Sequence, residues 1–309
     1  MLLSAAVLVA TVVAFAVAER LKLEPSPILH PHVTEVFSPV CRCPQRRAQV
    51  AFTLRKGGDV SVAIVDAGGK IVRTLRRRRH ERRGDRVSAT WDGRDDHGRV
   101  LPTALYRPRI ELGRRTIVMP NRIQIDVRRP TLRVTKAAPR VISPDGDGRL
   151  DGVTIGYQLD EPARVVLRVG GIRYEERRGL RTSGTFRWFG KLRGRALRQG
   201  VYPLALVATD LAGNRSAPSR PIAVRIRFVQ LARRTIRARA ATRFGVRVRT
   251  DARFVTWTLA HRSGRARPGL LVLRAPKRAG RYTLIVSANG HAASARVVVS
   301  PRRASASKR

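Results

Sequence analysis

Short runs in which apolar and polar residues alternate recur along most of this chain. Val50, Phe52 and Leu54 form one such run, and Val60, Val62 and Ile64 another; Val87, Ala89 and Trp91, then Ile123, Ile125 and Val127, repeat the pattern. Farther on come Val153, Ile155, Tyr157 and Leu159, then Val165, Leu167 and Val169, then Tyr202, Leu204, Leu206 and Ala208, then Ile222, Val224 and Ile226. The last third carries Phe244, Val246 and Val248, then Val255, Trp257 and Leu259, then Ala293, Ala295, Val297 and Val299. A period of two over four to eight residues puts alternate side chains on one face of a half-buried strand. Glycine-bearing turns separate the runs, at Asp66-Ala67-Gly68-Gly69-Lys70 and Ala288-Asn289-Gly290-His291 among others. No amphipathic helix of ordinary length is predicted after residue 20.

One longer pattern repeats. Trp91-Asp92-Gly93 is followed by Asp95, Asp96, Gly98, Pro102 and Tyr106; Trp188-Phe189-Gly190 is followed by Gly194, Gly200 and Tyr202. The tryptophans lie 97 residues apart and the Trp-to-Tyr gaps are 15 and 14 residues. The second copy keeps the Trp, a Gly and the Tyr but drops the acids. What recurs is therefore what a fold needs: large rings to fill a core, and glycines that let the chain leave a strand.

The first copy, Trp91-Asp92-Gly93-Arg94-Asp95-Asp96-x-Gly98-Arg99-Val100-x-Pro102 and Tyr106, is preceded by Val62-Ala63-Ile64-Val65-Asp66-x-x-Gly69-x-Ile71-Val72-Arg73-Thr74-Leu75. Over about 47–112 this resembles the FlgD/Vpr-type Ig-like domain of bacterial secreted and surface proteins. It departs at Thr103-Ala104-Leu105, where that family usually has a glycine just before the Tyr. The resemblance implies an Ig-like sandwich without catalysis, so no active-site residue carries over. Ile142-Ser143-Pro144-Asp145-Gly146-Asp147-Gly148 resembles the start of further Ig-like and sorting modules in surface proteins. The expected architecture is all-β: tandem Ig-like antiparallel β-sandwiches behind an N-terminal apolar helix. Residues 1–18 would be a signal peptide or membrane anchor and 19–46 a Pro-rich tether. The three Ig-like domains would span 47–128, 139–227 and 228–301, with a basic tail over 302–309.

Charge sharpens the partner question. The chain has 64 basic and 21 acidic residues, a net charge of +43; seven of the basic residues are lysines and 57 arginines. Genomic codon bias toward arginine and an anionic partner both fit, since net charge speaks to association and not to fold. The densest run is Arg76, Arg77, Arg78, Arg79, Arg82 and Arg83, with His80 among them. It is expected to be a solvated hairpin tip, or a finger for an anionic polymer. The uncharged segment 2–18 ends in Ala16-Val17-Ala18, a small-x-small cleavage pattern, but has no basic residue ahead of it. Kept, it would anchor the chain in a membrane; either way an extracytoplasmic location is expected.

Asp145, Asp147 and Asp151 have the spacing of a short calcium loop, with hard carboxylate oxygens around tight glycine turns. A full EF-hand is excluded, because position 12 counted from Asp145 is Gly156. Asp92, Asp95 and Asp96 are explained by turn chemistry. His30, His32, Cys41 and Cys43 are spaced too closely for an ordinary zinc set. A bridge between cysteines one residue apart would close a small, strained ring. No Walker loop, dinucleotide fingerprint, His-Glu-x-x-His or Gly-x-Ser-x-Gly occurs. The expected function is a non-catalytic exported or membrane-anchored bacterial surface protein, acting in adhesion, spacing or surface-structure assembly. Its partners would be a protein or an anionic polymer at the cell surface, with no small-molecule substrate and nucleic acid disfavoured by the exported location. The alternatives are a polyanion-binding module using the arginine run and accessory domains of a cell-surface hydrolase.

Overall fold

Alternating runs become strands where their apolar face has a second sheet to cover it, and that pairing occurs three times along the chain. The computed structural model describes Thr11 and residues 25–301. Residues through Arg129, with Leu211–Asn214, form one unit; the rest form a second unit that holds two sandwiches. Apart from Thr11 and one short 3-10 turn at Pro44–Arg46, the described residues contain no helix. Among the described residues no helix is long and apolar enough to cross a membrane. The expected apolar helix of residues 2–18 and the basic tail from residue 302 lie outside the described residues, save Thr11 and its single helical assignment.

In the first unit, strands Ile28–Val33, Ala48–Leu54 and Arg86–Trp91 make one sheet. The other runs in the order Val36–Phe37, Ile123–Ile125, Ala104–Leu112, Gly58–Val65 and Ile71–Glu81, with Arg115–Val118 beside Ala104–Leu112. Every pairing is antiparallel except that of Val36–Phe37 with Ile123–Ile125. Phe37, Val50, Phe52, Val62, Ile64, Trp91, Ile110 and Ile123 form the core between the two sheets.

The second sandwich repeats this topology on its own residues. Leu132–Ala138, the first part of the 17-residue strand Val153–Val169, and Arg181–Trp188 correspond to the first sheet. The far part of that long strand pairs with Ile172–Glu176 and Gly200–Asp210, and Gly200–Asp210 pairs with Ile222–Ile226. Short Val141–Ile142 again lies parallel at the edge, on Ile222–Ile226. The long strand passes between layers where its register breaks, between Gln158 and Ala163, a stretch that contains Pro162. The third sandwich has Gln230–Leu231, Arg243–Arg249 and Gly269–Arg274 in one sheet. Its other sheet runs Thr235–Arg239, His291–Ser300, Gly280–Ala288, Val255–Leu259 and Arg262–Ala266, with Thr235–Arg239 parallel at the edge. All three modules are thus Ig-like sandwiches of one plan.

The repeated Trp and Tyr do the same work in each copy. The Trp91 indole N–H donates to Arg94 O at 3.1 Å and that of Trp188 to Lys191 O at 2.8 Å. Each indole meets the module's Tyr edge to face, Tyr106 at 5.2 Å and Tyr202 at 6.0 Å. Each Tyr hydroxyl then donates to a carbonyl four residues back, Tyr106 to Pro102 and Tyr202 to Arg198. Tyr282 does so to Arg278 in the third module, which has no Trp at the matching place.

Several boundaries differ from expectation. The Pro-rich stretch 19–46 is not a tether throughout: Ile28–Val33 and Val36–Phe37 are strands, and Ile28, Val33 and Phe37 are buried in the first core. The second domain opens at Leu132, before 139, because Leu132–Ala138 pairs with Val153–Val169. Phe228 belongs to the second core and Val229 to the third, so that boundary moves by one residue. Cys41 and Cys43 are joined by a disulfide. Its Cα atoms lie 5.3 Å apart, within the ordinary range, so the small ring closes.

Candidate functional site

The loop Ser143–Gly152 leaves the short edge strand Val141–Ile142 and enters Val153–Val169. Its glycines permit a tight path: Gly146 and Gly148 have φ of 85° and 82°. The path turns backbone amides inward onto the acids. Asp151 accepts from Gly146 N and Gly148 N, both at 2.9 Å. Asp145 Oδ1 accepts from Asp147 N at 3.3 Å, and Asp147 Oδ1 from Arg149 N at 2.8 Å. One oxygen of each of Asp145, Asp147 and Asp151 lies within 4.8 Å of the others. The three acids that the sequence singles out are therefore brought together.

Two residues of the third module interact with this loop, Asn289 by hydrogen bonds and Asp251 through the charges of Asp145 and Asp147. Asn289, at φ 47° in the hairpin Ala288–His291, donates through Nδ2 to Asp145 Oδ2 at 3.1 Å and to Asp147 Oδ2 at 2.9 Å. Asp251 follows strand Arg243–Arg249. Both its carboxylate oxygens expose less than 1 Å², although the residue as a whole is only partly buried. Burial raises its pKa above the ordinary carboxylate value, the Ser143 hydroxyl offsets part of this, and the charges of Asp145 and Asp147 add to it. The Ser143 hydroxyl thus faces two carboxylates, Asp251 and Asp145, whose Oδ2 lies 3.2 Å from it.

The acids of the opening motif are engaged otherwise. Asp92 Oδ1 accepts from Arg94 N at 3.1 Å and Asp96 Oδ1 from Thr74 N at 3.0 Å. Asp95 accepts from His97 N, Arg99 N and Arg99 Nε at 2.8–2.9 Å. Burial pushes its pKa up, but the Arg99 and His97 donors outweigh this and hold it below the ordinary value. Asp92 and Asp95 close local turns, as their residue types suggest, whereas Asp96 ties the loop to strand Ile71–Glu81.

Most of the arginine run is a strand, and only its end is a turn. Arg76, Arg77, Arg78 and Arg79 lie on Ile71–Glu81, the edge strand of the first unit's larger sheet; Arg82 and Arg83 lead into the turn at Gly84. Part of the charge is neutralised. Arg76 and Arg79 pair with Glu81, and Arg78 with Asp59 at 2.7 Å. Hydrogen bonds from Arg78 and His80 lower the Asp59 pKa. Arg77, Arg82 and Arg83 are exposed and form no ion pair among the described residues. Heparin affinity is therefore expected to rest on these three. Each phosphate-like contact contributes roughly 0.9 to the log–log salt slope, so the Arg77→Gln/Arg82→Gln/Arg83→Gln variant should flatten that slope by about 2–3. An unchanged slope, measured by affinity against salt concentration, rules the strand out as the contact.

No protein-family model matches this chain, and no curated protein does. Among solved structures it is similar to the fibronectin(III)-like modules of Clostridium thermocellum CbhA, at 14% identity and TM-score 0.35, over 63% of this chain and 94% of that one. It is similar to titin domains I67–I69 at 10% identity and TM-score 0.33, over 90% and 100%. A third similarity is to the SGBP-B protein of the Bacteroides ovatus mixed-linkage glucan utilization locus, solved with a mixed-linkage heptasaccharide, at 13% identity and TM-score 0.23, over 88% and 71%. By its own strand order, the chain is an all-β protein of tandem Ig-like sandwiches.

Proposed function

We propose that this chain is a non-catalytic surface protein, exported and either released or anchored through residues 2–18, in which three Ig-like modules act in spacing and adhesion. The observation that carries this reading is one topology built three times in succession, each copy with its own core. Repeated rigid sandwiches supply length, and their loops and edge strands supply contact surface at little cost to the fold. The Cys41–Cys43 disulfide supports an extracytoplasmic location, because such bonds persist in oxidising compartments and are rare in reducing ones. The test is protease shaving of intact cells with fractionation. Cleavage of the chain on intact cells is expected; full protection in the cytoplasmic fraction would overturn the reading.

A second reading, binding of an anionic surface polymer, is favoured by Arg77 on the edge strand and Arg82 and Arg83 in the turn after it, which form no ion pair among the described residues. It is compatible with the first, since a spacer needs an attachment. Its test is the salt-slope measurement given above.

A further inference from the structure

We propose that a cavity between the second and third modules, lined by Arg225, Arg227, Arg233 and Arg234 with Gln199 and Gln230, binds a bare oligophosphate chain through those guanidinium groups. The cavity measures about 360 Å³, inside the range of roughly 300–1,000 Å³ for small-ligand sites. Arg225 and Arg227 reach it by the period of the strand. They flank Ile226 at the end of Ile222–Ile226, and because Ile226 faces the second core its two neighbours face away from that core. The Arg227 N–H donates to Ile142 O, which carries the ladder one residue further. Arg233 and Arg234 come from the segment joining Gln230–Leu231 to Thr235–Arg239. Phe228 lies in the second core and Val229 in the third, so no linker separates the two walls. Phe228 also stacks on His291 of the third module, with ring centroids 3.5 Å apart. The cavity is therefore a fixed feature of one compact unit.

Nothing in the protein answers these arginines. Arg76, Arg78, Arg99 and Arg173 each pair with an acid. No Asp or Glu lines the cavity, and none of its four arginines forms an ion pair among the described residues. Among the described residues, Arg73, Arg109, Arg168 and Arg227 bury Nε without a partner. The first three each give another guanidinium N–H to a protein oxygen, Arg73 to Asp95 O, Arg109 to Glu111 and Arg168 to Gly171 O. The Arg227 guanidinium gives none; only its backbone N–H is bonded. A donor shut off from water without an acceptor is costly, and an anion that accepts from it offsets that cost. Gln199 accepts from Phe228 N through Oε1 at 3.3 Å, which leaves its NH₂ to donate as well.

The ligand class follows from the number of forks. A carboxylate has two oxygens in one plane and is satisfied by one bidentate guanidinium, whereas a phosphoryl group spreads its oxygens around a tetrahedral centre and accepts from several. Four forks around one cavity therefore fit phosphoryl groups, and the volume admits more than one. No aromatic ring lines the cavity to stack a nucleobase, which favours a bare chain over a nucleotide. The site shares no residue with Arg77, Arg82 and Arg83 and does not depend on where the protein resides. It can fail while protease shaving and the heparin measurement succeed, and the reverse.

The experiment titrates the full chain with sodium tripolyphosphate by calorimetry in about 0.15 M NaCl, which screens scattered surface charge beyond about 8 Å. One saturable site per chain is expected. Arg225→Gln/Arg227→Gln should weaken it about ten-fold or more, and Arg227→Lys, which keeps the charge but loses the fork, about three-fold or more. Arg262→Gln/Arg281→Gln removes the same charge from exposed arginines outside the cavity and should leave the affinity within about two-fold of the parent's. Citrate should bind about ten-fold more weakly than tripolyphosphate. ATP, the same triphosphate bearing a nucleoside, should bind no more tightly. Without ligand, the unfolding midpoint of Arg225→Gln/Arg227→Gln should match or exceed the parent's, since only like-charge repulsion is lost. Absence of binding, equal losses in the two double variants, equal affinity for citrate, or tighter binding of ATP overturns the assignment. A lowered midpoint with unchanged affinity overturns it too, by making these arginines structural.

Discussion

Trp188→Ala is expected to cost the second module about 3–5 kcal/mol, the range for removing a fully buried large aromatic. Trp188 is 0% exposed, at the centre of a core that includes Ile155, Phe186, Leu204 and Ile226. Its strand pairs with Val153–Val169, and its ring meets Tyr202. Losing the indole therefore opens a cavity touching both sheets and also removes the donor to Lys191 O. Trp188→Phe separates the two effects. The phenyl restores much of the volume, and the residual loss, about 1–3 kcal/mol, reports the abandoned carbonyl together with the remaining void. Urea unfolding followed by far-ultraviolet circular dichroism measures both. Trp91→Ala should act equally on the first unit, whose core shares no residue with that of the second module. A loss below about 1 kcal/mol for Trp188→Ala would mean that the indole does not hold the sandwich together.

The same contacts explain how much of this fold the sequence displays. Trp, Gly and Tyr at nearly fixed spacing announce the first two modules because those side chains interlock in space. The third module is less marked in the sequence because it has the Tyr282 hydrogen bond without the indole. The edge strands are hidden in the sequence for different reasons. Ile28–Val33 carries Pro31 and a bulge with His30 at φ 48°, which breaks the alternation. Leu132–Ala138 is half exposed and has no buried residue to set a period. Val36–Phe37 and Val141–Ile142 are too short for any period to register. The candidate site divides likewise. Asp145, Asp147 and Asp151 are visible because one loop carries them all. Asp251 and Asn289 lie 100 or more residues away, on loops that read as ordinary turns, and only tertiary packing brings them to Asp145 and Asp147. Composition suggests a tip for the arginine run, and pairing with Gly58–Val65 makes Arg76–Arg79 a strand. Alternation does not mark it, since an edge strand facing solvent has no need to alternate.

Gly93→Ala and Gly190→Ala are expected to destabilise their modules by about 2–5 kcal/mol, and Gly98→Ala by only about 1–2 kcal/mol. All three glycines have positive φ, at 73°, 65° and 78°, so each substitution carries the same left-handed penalty of about 1–2 kcal/mol. They differ in their surroundings. A Cβ at Gly93 would lie 2.8 Å from Pro39 Cβ and 3.2 Å from Phe37. One at Gly190 would lie 2.6 Å from Pro144 Cγ and 3.2 Å from Ile226. At Gly98 nothing stands within 4 Å. The excess at Gly93 and Gly190 therefore measures how tightly the turn after each Trp is pressed against a proline from the loop that follows the short edge strand. Prolines cannot swing aside as a long side chain can, so about 1–3 kcal/mol of overpacking is added. The entropy that alanine removes from the unfolded chain is common to all three and cancels in the comparison. Midpoints of chemical unfolding for the three variants test this directly. Equal losses would reduce the recurring glycine to a requirement of backbone angle alone. A larger loss at Gly93 and Gly190 makes close approach the reason the Trp-x-Gly spacing is kept, and ties each turn to the loop that carries Cys41–Cys43 in the first module and Asp145–Asp151 in the second.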